Sequence, residues 1–138
     1  IGRRKDNYNI KIEITDESLS AKVDARLISQ VVFNLVDNAM KYSPVNTTIT
    51  IGAYAEGKDI KVFVSDQGNG ISDEDKKSIF DMFYTVNNAV SSDSRRGLGL
   101  GLALCKAVVE SHGGTICVTD NKPEGTIFEF SLEGDFYE

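Results

Sequence analysis

Between Ala25 and Tyr42 the apolar residues Leu27, Ile28, Val31, Val32, Leu35, Val36, Ala39 and Met40 recur at intervals of three and four. That spacing predicts one amphipathic helix over 25–42, and its apolar stripe demands a second layer to cover it. Asp24 is placed to cap the helix start, and Ser43-Pro44 to stop it. Alternation takes over on either side. Residues 8–14 (YNIKIEI), 47–55 (TTITIGAYA) and 60–65 (IKVFVS) read as strands, the last two joined through Glu56-Gly57-Lys58-Asp59 as an antiparallel hairpin. Residues 22–24 read as a short strand leading into the helix. Ser72 followed by Asp73-Glu74-Asp75 starts a short helix expected to reach Phe80 or Met82. A further helix, LALCKAVVESH, closes at Gly113-Gly114. Strands at 115–119 and 126–132, turned by Lys122-Pro123-Glu124-Gly125, complete the order. The pattern predicts an α+β fold, a two-layer sandwich of one mixed sheet with three helices on one face.

Composition narrows the function classes. Hydrophobic residues make up 41% of 138 residues, enough for the core of a single domain over 1–138. A net charge of −6 argues against general nucleic-acid binding, which needs a basic face. No apolar stretch is long enough to cross a bilayer, so no direct membrane contact is expected. A start at Ile1-Gly2-Arg3 is expected to belong to a piece of a longer protein. Cys105 and Cys117 lie in apolar contexts without CxxC spacing, and read as two buried free thiols rather than zinc ligands.

Three segments carry chemistry. On a helical wheel of about 100° per residue, Asn34, Asn38 and Lys41 fall within roughly 60° of one another, opposite the apolar stripe. Asn is a mediocre helix former, so two of them one turn apart either face solvent or offer carbonyl oxygens to a hard cation beside a phosphate-binding Lys. Asp66-x-Gly68-x-Gly70 follows a strand directly; its carboxylate can accept from an exocyclic amine such as that of adenine, though an ordinary tight turn would look the same. Gly97-x-Gly99-x-Gly101 opens a helix, where free N–H groups and the helix dipole favour a polyphosphate. Residues 84–96 have no period and many small polar groups, as in a mobile loop. No P-loop, dinucleotide fingerprint or Ser/Thr-kinase motif is present.

In this order the segments resemble the catalytic ATP-binding domain of two-component sensor histidine kinases. Asn34-Leu-Val-Asp-Asn38-Ala-Met-Lys41-Tyr42 resembles that family's N box, and Asp66-Gln-Gly68-Asn-Gly70-Ile71 its G1 box. Ile79-Phe80-Asp-Met-Phe83-Tyr84 resembles its F box, and Gly97-Leu-Gly99-Leu100-Gly101-Leu-Ala its G2 box. The likeness runs from Asp24 to Leu132. The lid stretch and SRRGLGLGLALCK look closest to potassium-responsive, osmosensing members.

The resemblance implies the Bergerat or GHKL fold and binding of ATP with Mg2+, under a lid formed by 84–96. It implies that Asn38 ligates Mg2+, that Asn34 supports metal and phosphates, and that Lys41 meets phosphate while Tyr42 borders the nucleotide. Asp66 would recognise the adenine amine, with Gly68 and Gly70 letting the base approach and Thr126 holding adenine through water. Gly97, Gly99 and Gly101 would let the lid close, with Ile71, Arg96 and Leu100 completing the ATP-binding set. In ATP-hydrolysing relatives a Glu stands at the position of Asn34; an amide cannot act as a general base at neutral pH, which favours transfer to a protein acceptor over hydrolysis.

The chain departs from the family at Met82 and Thr85, where basic residues are common, and at Leu98, where a hydroxyl is usual; Arg95 or Arg96 would supply the phosphate contact. The family's phosphoacceptor histidine lies in a separate dimerisation domain, and no H box occurs here. His112, before Gly113-Gly114, reads as a helix C-terminal cap. The chain is therefore expected to be a monomer that binds ATP without phosphorylating itself. Its expected partners are the dimerisation and histidine-phosphotransfer domain of its parent and a response regulator. The parent is expected to be membrane-anchored, with this domain in the cytoplasm. Competing readings are an anti-sigma-type serine kinase of the same fold, and a pseudokinase module that docks partners.

Overall fold

The computed structural model describes residues 8–14, 21, 23–81 and 100–134. Asp24 caps α1 (Ala25–Tyr42), its carboxylate accepting from the N–H groups of Arg26 and Leu27. Most of the expected stripe is buried: Val31, Leu35, Val36, Ala39 and Met40 face the core and Ile28 and Val32 pack partly against it, whereas Leu27, at the first turn, is exposed. Beneath it lies a five-stranded sheet of β1 (Asn9–Ile14), β2 (Thr48–Glu56), β3 (Asp59–Ser65), β4 (Ile116–Asp120) and β5 (Thr126–Glu133). Its spatial order is β1-β2-β3-β5-β4, with β1 parallel to β2 and every other pairing antiparallel. The sheet is mixed because α1 carries the chain from β1 back to the start of β2, and a parallel neighbour requires such a crossover.

Strand alternation puts Ile51, Val64, Phe128 and Val118 in one row across the sheet, on the face that meets the helices. The second long helix, α3 (Leu100–Ser111), packs beside α1 and over β4 and β5. Its Cys105 and Val109 are buried. Tyr8 ties β1 to the far end of α1, its hydroxyl donating to the Met40 carbonyl at 2.6 Å. Among the described residues no helix is long and apolar enough to cross a membrane.

Four details differ from expectation. Residues 22–24 form no strand among the described positions; a single bridge between Ala21 and Gly134 stands there instead. The short helix α2 is one turn, Asp73–Lys76, capped by the Ser72 hydroxyl. It stops early because the chain tightens into i→i−3 bonds, Ser78 to Asp75 and Asp81 to Ser78, which drive the consecutive apolar pair Ile79 and Phe80 into the core. Phe80 meets the Phe128 ring edge-on at 6.0 Å. Helix α3 begins at Leu100, so Gly101 lies within its first turn. Cys117 is exposed, not buried, because β4 turns it to the sheet face away from the helices. The lid stretch 84–96, with Met82, Thr85, Arg95 and Leu98, lies outside the described residues.

Candidate functional site

Asp66 is the first residue beyond β3, and it stays in line with β5: its N–H donates to the Thr126 carbonyl at 2.9 Å. Register with Thr126 places its side chain on the helix-facing side of the sheet, where it is 5% exposed. One carboxylate oxygen is saturated, Oδ1 accepting from the N–H of Gly68 at 2.9 Å and of Thr126 at 3.1 Å. The Ser43 hydroxyl, buried and short of a formed hydrogen bond, also lies on the side of the charged form. Burial outweighs these contacts and holds the carboxyl above its ordinary value. Among the described residues the hydrogen bonds formed to the carboxylate all go to Oδ1, none to Oδ2.

Asp66 opens into a cleft of about 120 Å³ lined by Asn38, Tyr42, Asn69, Gly70, Ile71, Thr126 and Phe128. Helix α1 supplies one wall through Asn38 and Tyr42, one turn apart on a shared side of the helix. The ends of β3 and β5 supply the floor, and the loop through Gly70 the other wall. Gly70 holds φ +79°, a left-handed conformation that glycine adopts without strain. Gly68 serves a different contact: a Cβ there would stand 2.5 Å from the Tyr42 carbonyl, so its bareness lets the loop seat against the end of α1.

Of the residues singled out in the sequence, Asn38, Tyr42, Asp66, Gly70, Ile71 and Thr126 therefore converge on one cleft. Asn34, Lys41 and Gly68 are not among its lining residues. Asn34 Oδ1 accepts from Gln30 Nε2 at 3.0 Å, one turn back along α1. Lys41 Nζ lies 5.5 Å from the centre of the Tyr42 ring. Leu100 and Gly101 open α3, and Arg96, Gly97 and Gly99 lie outside the described residues. Two lining residues were missed. Asn69 lies in the turn between two glycines, and Phe128 in the strand expected at 126–132, two residues beyond Thr126 on the same strand face; the sequence reading singles out neither.

The donor set fits one kind of metal site. No cluster of three or more His, Cys, Asp or Glu side chains that could hold an ion occurs among the described residues. The cleft offers the neutral amide oxygen of Asn38 instead. That suits a hard cation which keeps most of its ligands as water and phosphate, and it would not hold an ion alone.

The family described as histidine kinase-, DNA gyrase B-, and HSP90-like ATPase matches residues 23–135, a span that includes every residue of this cleft. The chain belongs to that family. Sensor protein KdpD of Clostridium acetobutylicum is 44% identical over 126 residues, 91% of this chain and 14% of its own length. The chain thus spans about a seventh of that relative. Among solved structures, the catalytic domain of histidine kinase ThkA superposes with a TM-score of 0.81 at 32% identity, covering 96% of this chain and 84% of that one. ThkA in complex with the response regulator protein TrrA gives a TM-score of 0.78 at 30% identity, covering 97% of this chain and 36% of that one. The fold is that of histidine kinase catalytic domains, a mixed five-stranded sheet under helices, as the four boxes implied.

Proposed function

We propose that this domain binds ATP with Mg2+ in the cleft between α1 and the ends of β3 and β5, and presents the γ-phosphoryl group to a histidine on a separate helical domain of a sensor kinase. The observation that carries the reading is the open Oδ2 of Asp66 in the same cleft as the Asn38 amide. Oδ2 is a charged acceptor at the buried end, suited to the exocyclic amine of adenine. Ile71 and Phe128 give the base apolar contacts, and Tyr42 borders it on the helix side. Asn38 would hold the metal, which when bound neutralises phosphate charge and helps align the transferred group. Lys41, three residues farther along α1, would meet phosphate.

Position 34 favours transfer over hydrolysis. Its amide has no proton-accepting nitrogen at neutral pH, and its oxygen already accepts from Gln30. Phosphoryl transfer asks of the protein mainly alignment and charge neutralisation, which an amide-lined cleft supplies. The acceptor histidine belongs to the dimerisation domain of the parent. His112 cannot serve, since both of its ring nitrogens are engaged at a helix junction. A response regulator is the next acceptor; the ThkA–TrrA complex supports that partner class. The sensor names of the relatives support a membrane-anchored parent with this domain on the cytoplasmic side.

The test has two stages. Calorimetry with Mg2+-ATP should give saturable binding, and silence at millimolar nucleotide would point to a docking module. Adding the parent's helical histidine domain in trans should then yield acid-labile phosphohistidine. Acid-stable phosphoserine on a mixed-in target would identify a serine kinase instead.

A further inference from the structure

The β4–β5 hairpin, read from the sequence only as a turn, reaches back to the residue that faces the base. Asn121 Nδ2 donates to the backbone carbonyl of Asp66 at 2.7 Å, across 55 positions of chain. Asn121 is itself fixed at two further points. Its N–H donates to the Gly125 carbonyl at 3.0 Å, and its Oδ1 accepts from the Lys122 N–H at 2.9 Å. Because Oδ1 is taken by a backbone donor, the amide has one orientation, with Nδ2 toward Asp66. Gly125, in the same turn, holds φ +116° and packs so closely that a Cβ would stand 2.0 Å from the Asp66 carbonyl. The Asp66 backbone is thereby gripped on both sides, N–H by Thr126 and C=O by Asn121. With Oδ1 held by Gly68 and Thr126, Oδ2 is the one carboxylate oxygen left for the cleft.

We propose that Asn121 is a positioning residue for base selection: by anchoring the Asp66 carbonyl it fixes where Oδ2 points, and so sets the preference for a purine that carries a 6-amino group. The inference rests on the adenine reading above. It concerns discrimination between bases rather than affinity for triphosphate, because Asn121 touches the strand end and not the helix that carries Asn38. A side chain that merely held the hairpin together would support all nucleotides alike. One that aims a carboxylate oxygen matters only to a ligand offering a donor there.

The experiment compares two ligands on the intact domain, ATP and purine riboside triphosphate, which lacks the 6-amino group. Binding of each is measured by calorimetry for the parent, Asn121→Ala, Asn121→Asp, Asp66→Ala and the double variant Asp66→Ala/Asn121→Ala. The parent should prefer ATP by roughly tenfold or more, the value of a charge-assisted hydrogen bond. Asp66→Ala should erase that preference. Asn121→Ala should cut it by about threefold or more while changing purine riboside triphosphate affinity little, and should add nothing in the Asp66→Ala background. Asn121→Asp keeps the shape but exchanges the donor for an acceptor, and should behave like the alanine variant.

Equal loss of both ligands in the Asn121 variants, or loss of the folded state in both, would give Asn121 a purely structural role and overturn the proposal. A parent without preference, or an Asp66→Ala variant that keeps it, would instead overturn the adenine reading and the positioning role with it. Loss of preference in Asp66→Ala alone would sink the role of Asn121 and leave the adenine reading standing.

Discussion

His112 Nε2 accepts the backbone N–H of Asp24 at 3.1 Å, while Nδ1–H donates to the Val108 carbonyl at 2.8 Å. The histidine expected to cap one helix thus also holds the N-cap residue of another, and it does so as the neutral Nδ1–H tautomer. The end of α3 is pinned to the start of α1. Farther along the same seam, Cys105 Sγ lies 3.8 Å from the Val31 carbonyl.

His112→Ala removes an acceptor and a donor at that junction. It should cost roughly 1–2 kcal/mol, and lower the melting temperature by roughly 3–6 °C. The cleft proposed for nucleotide is toward the other end of α1, where Asn38 and Tyr42 stand about 21 and 27 Å along the helix from Asp24. Affinity for ATP should therefore hold within about twofold, as for independent sites. Thermal unfolding and calorimetry on one sample check both halves; a large loss of affinity at unchanged stability would contradict the assignment.

Asp66→Asn should separate stability from binding. Burial holds the Asp66 carboxyl above its ordinary value of 3.8, so the native state keeps that proton more tightly than the unfolded chain does. Stability from this group is full below the unfolded value and is lost as pH rises through the folded one. An asparagine keeps an oxygen for the Gly68 and Thr126 N–H groups without the buried charge. Its stability relative to the parent should rise with pH across that window and then level off, in urea unfolding at a series of pH values. ATP affinity should fall by about 1.5–3 kcal/mol at neutral pH. A stability difference independent of pH would mean that the carboxyl titrates as it does in water.

Much of this was legible in the residues because helix and strand periods are local. The run from Leu27 to Met40 left one stripe to bury, and α1 ends within the residues expected. Asp66 and Gly70 could be singled out because a strand end with small residues is where a carboxylate and a ligand can meet; Thr126 came only from the family resemblance. Contacts made across the chain were not legible. Nothing local says that Asn121 reaches Asp66, that Gln30 takes the Asn34 oxygen, or that Gly68 lies against the Tyr42 carbonyl. The short α2 was overread for a related reason. Its capping signal was real, but the pull of Ile79 and Phe80 into the core belongs to tertiary packing. Cys117 was misplaced because an apolar neighbourhood in sequence does not tell which sheet face an edge strand turns inward.

The two thiols should respond very differently to an alkylating reagent. Cys105 is 1% exposed, and burial pushes its thiol up to about 11. Cys117 is exposed on edge strand β4, where partial burial first and Glu129 beside it second raise its thiol. At neutral pH under native conditions, mass spectrometry should show one label, on Cys117. Labelling of Cys105 should be on the order of a hundredfold slower, since it has to await opening of the α1–α3 seam, and should become rapid in denaturant. Equal rates in the native state would place Cys105 at the surface.

Asn38→Ala tests whether the amide on the cleft wall acts through the metal. The side chain lines the cleft and is not part of the apolar core, so its truncation should leave fold and stability close to the parent. Adenosine, which has no phosphate to share with a cation, should bind the variant as it binds the parent. ATP in the presence of Mg2+ should bind roughly tenfold more weakly, about 1.4 kcal/mol. Chelating the Mg2+ should then weaken the parent further than the variant, bringing the two affinities together. Parallel loss of adenosine and Mg2+-ATP would mean that Asn38 supports the base or the helix rather than the cation, and would remove the protein ligand from the proposed metal site.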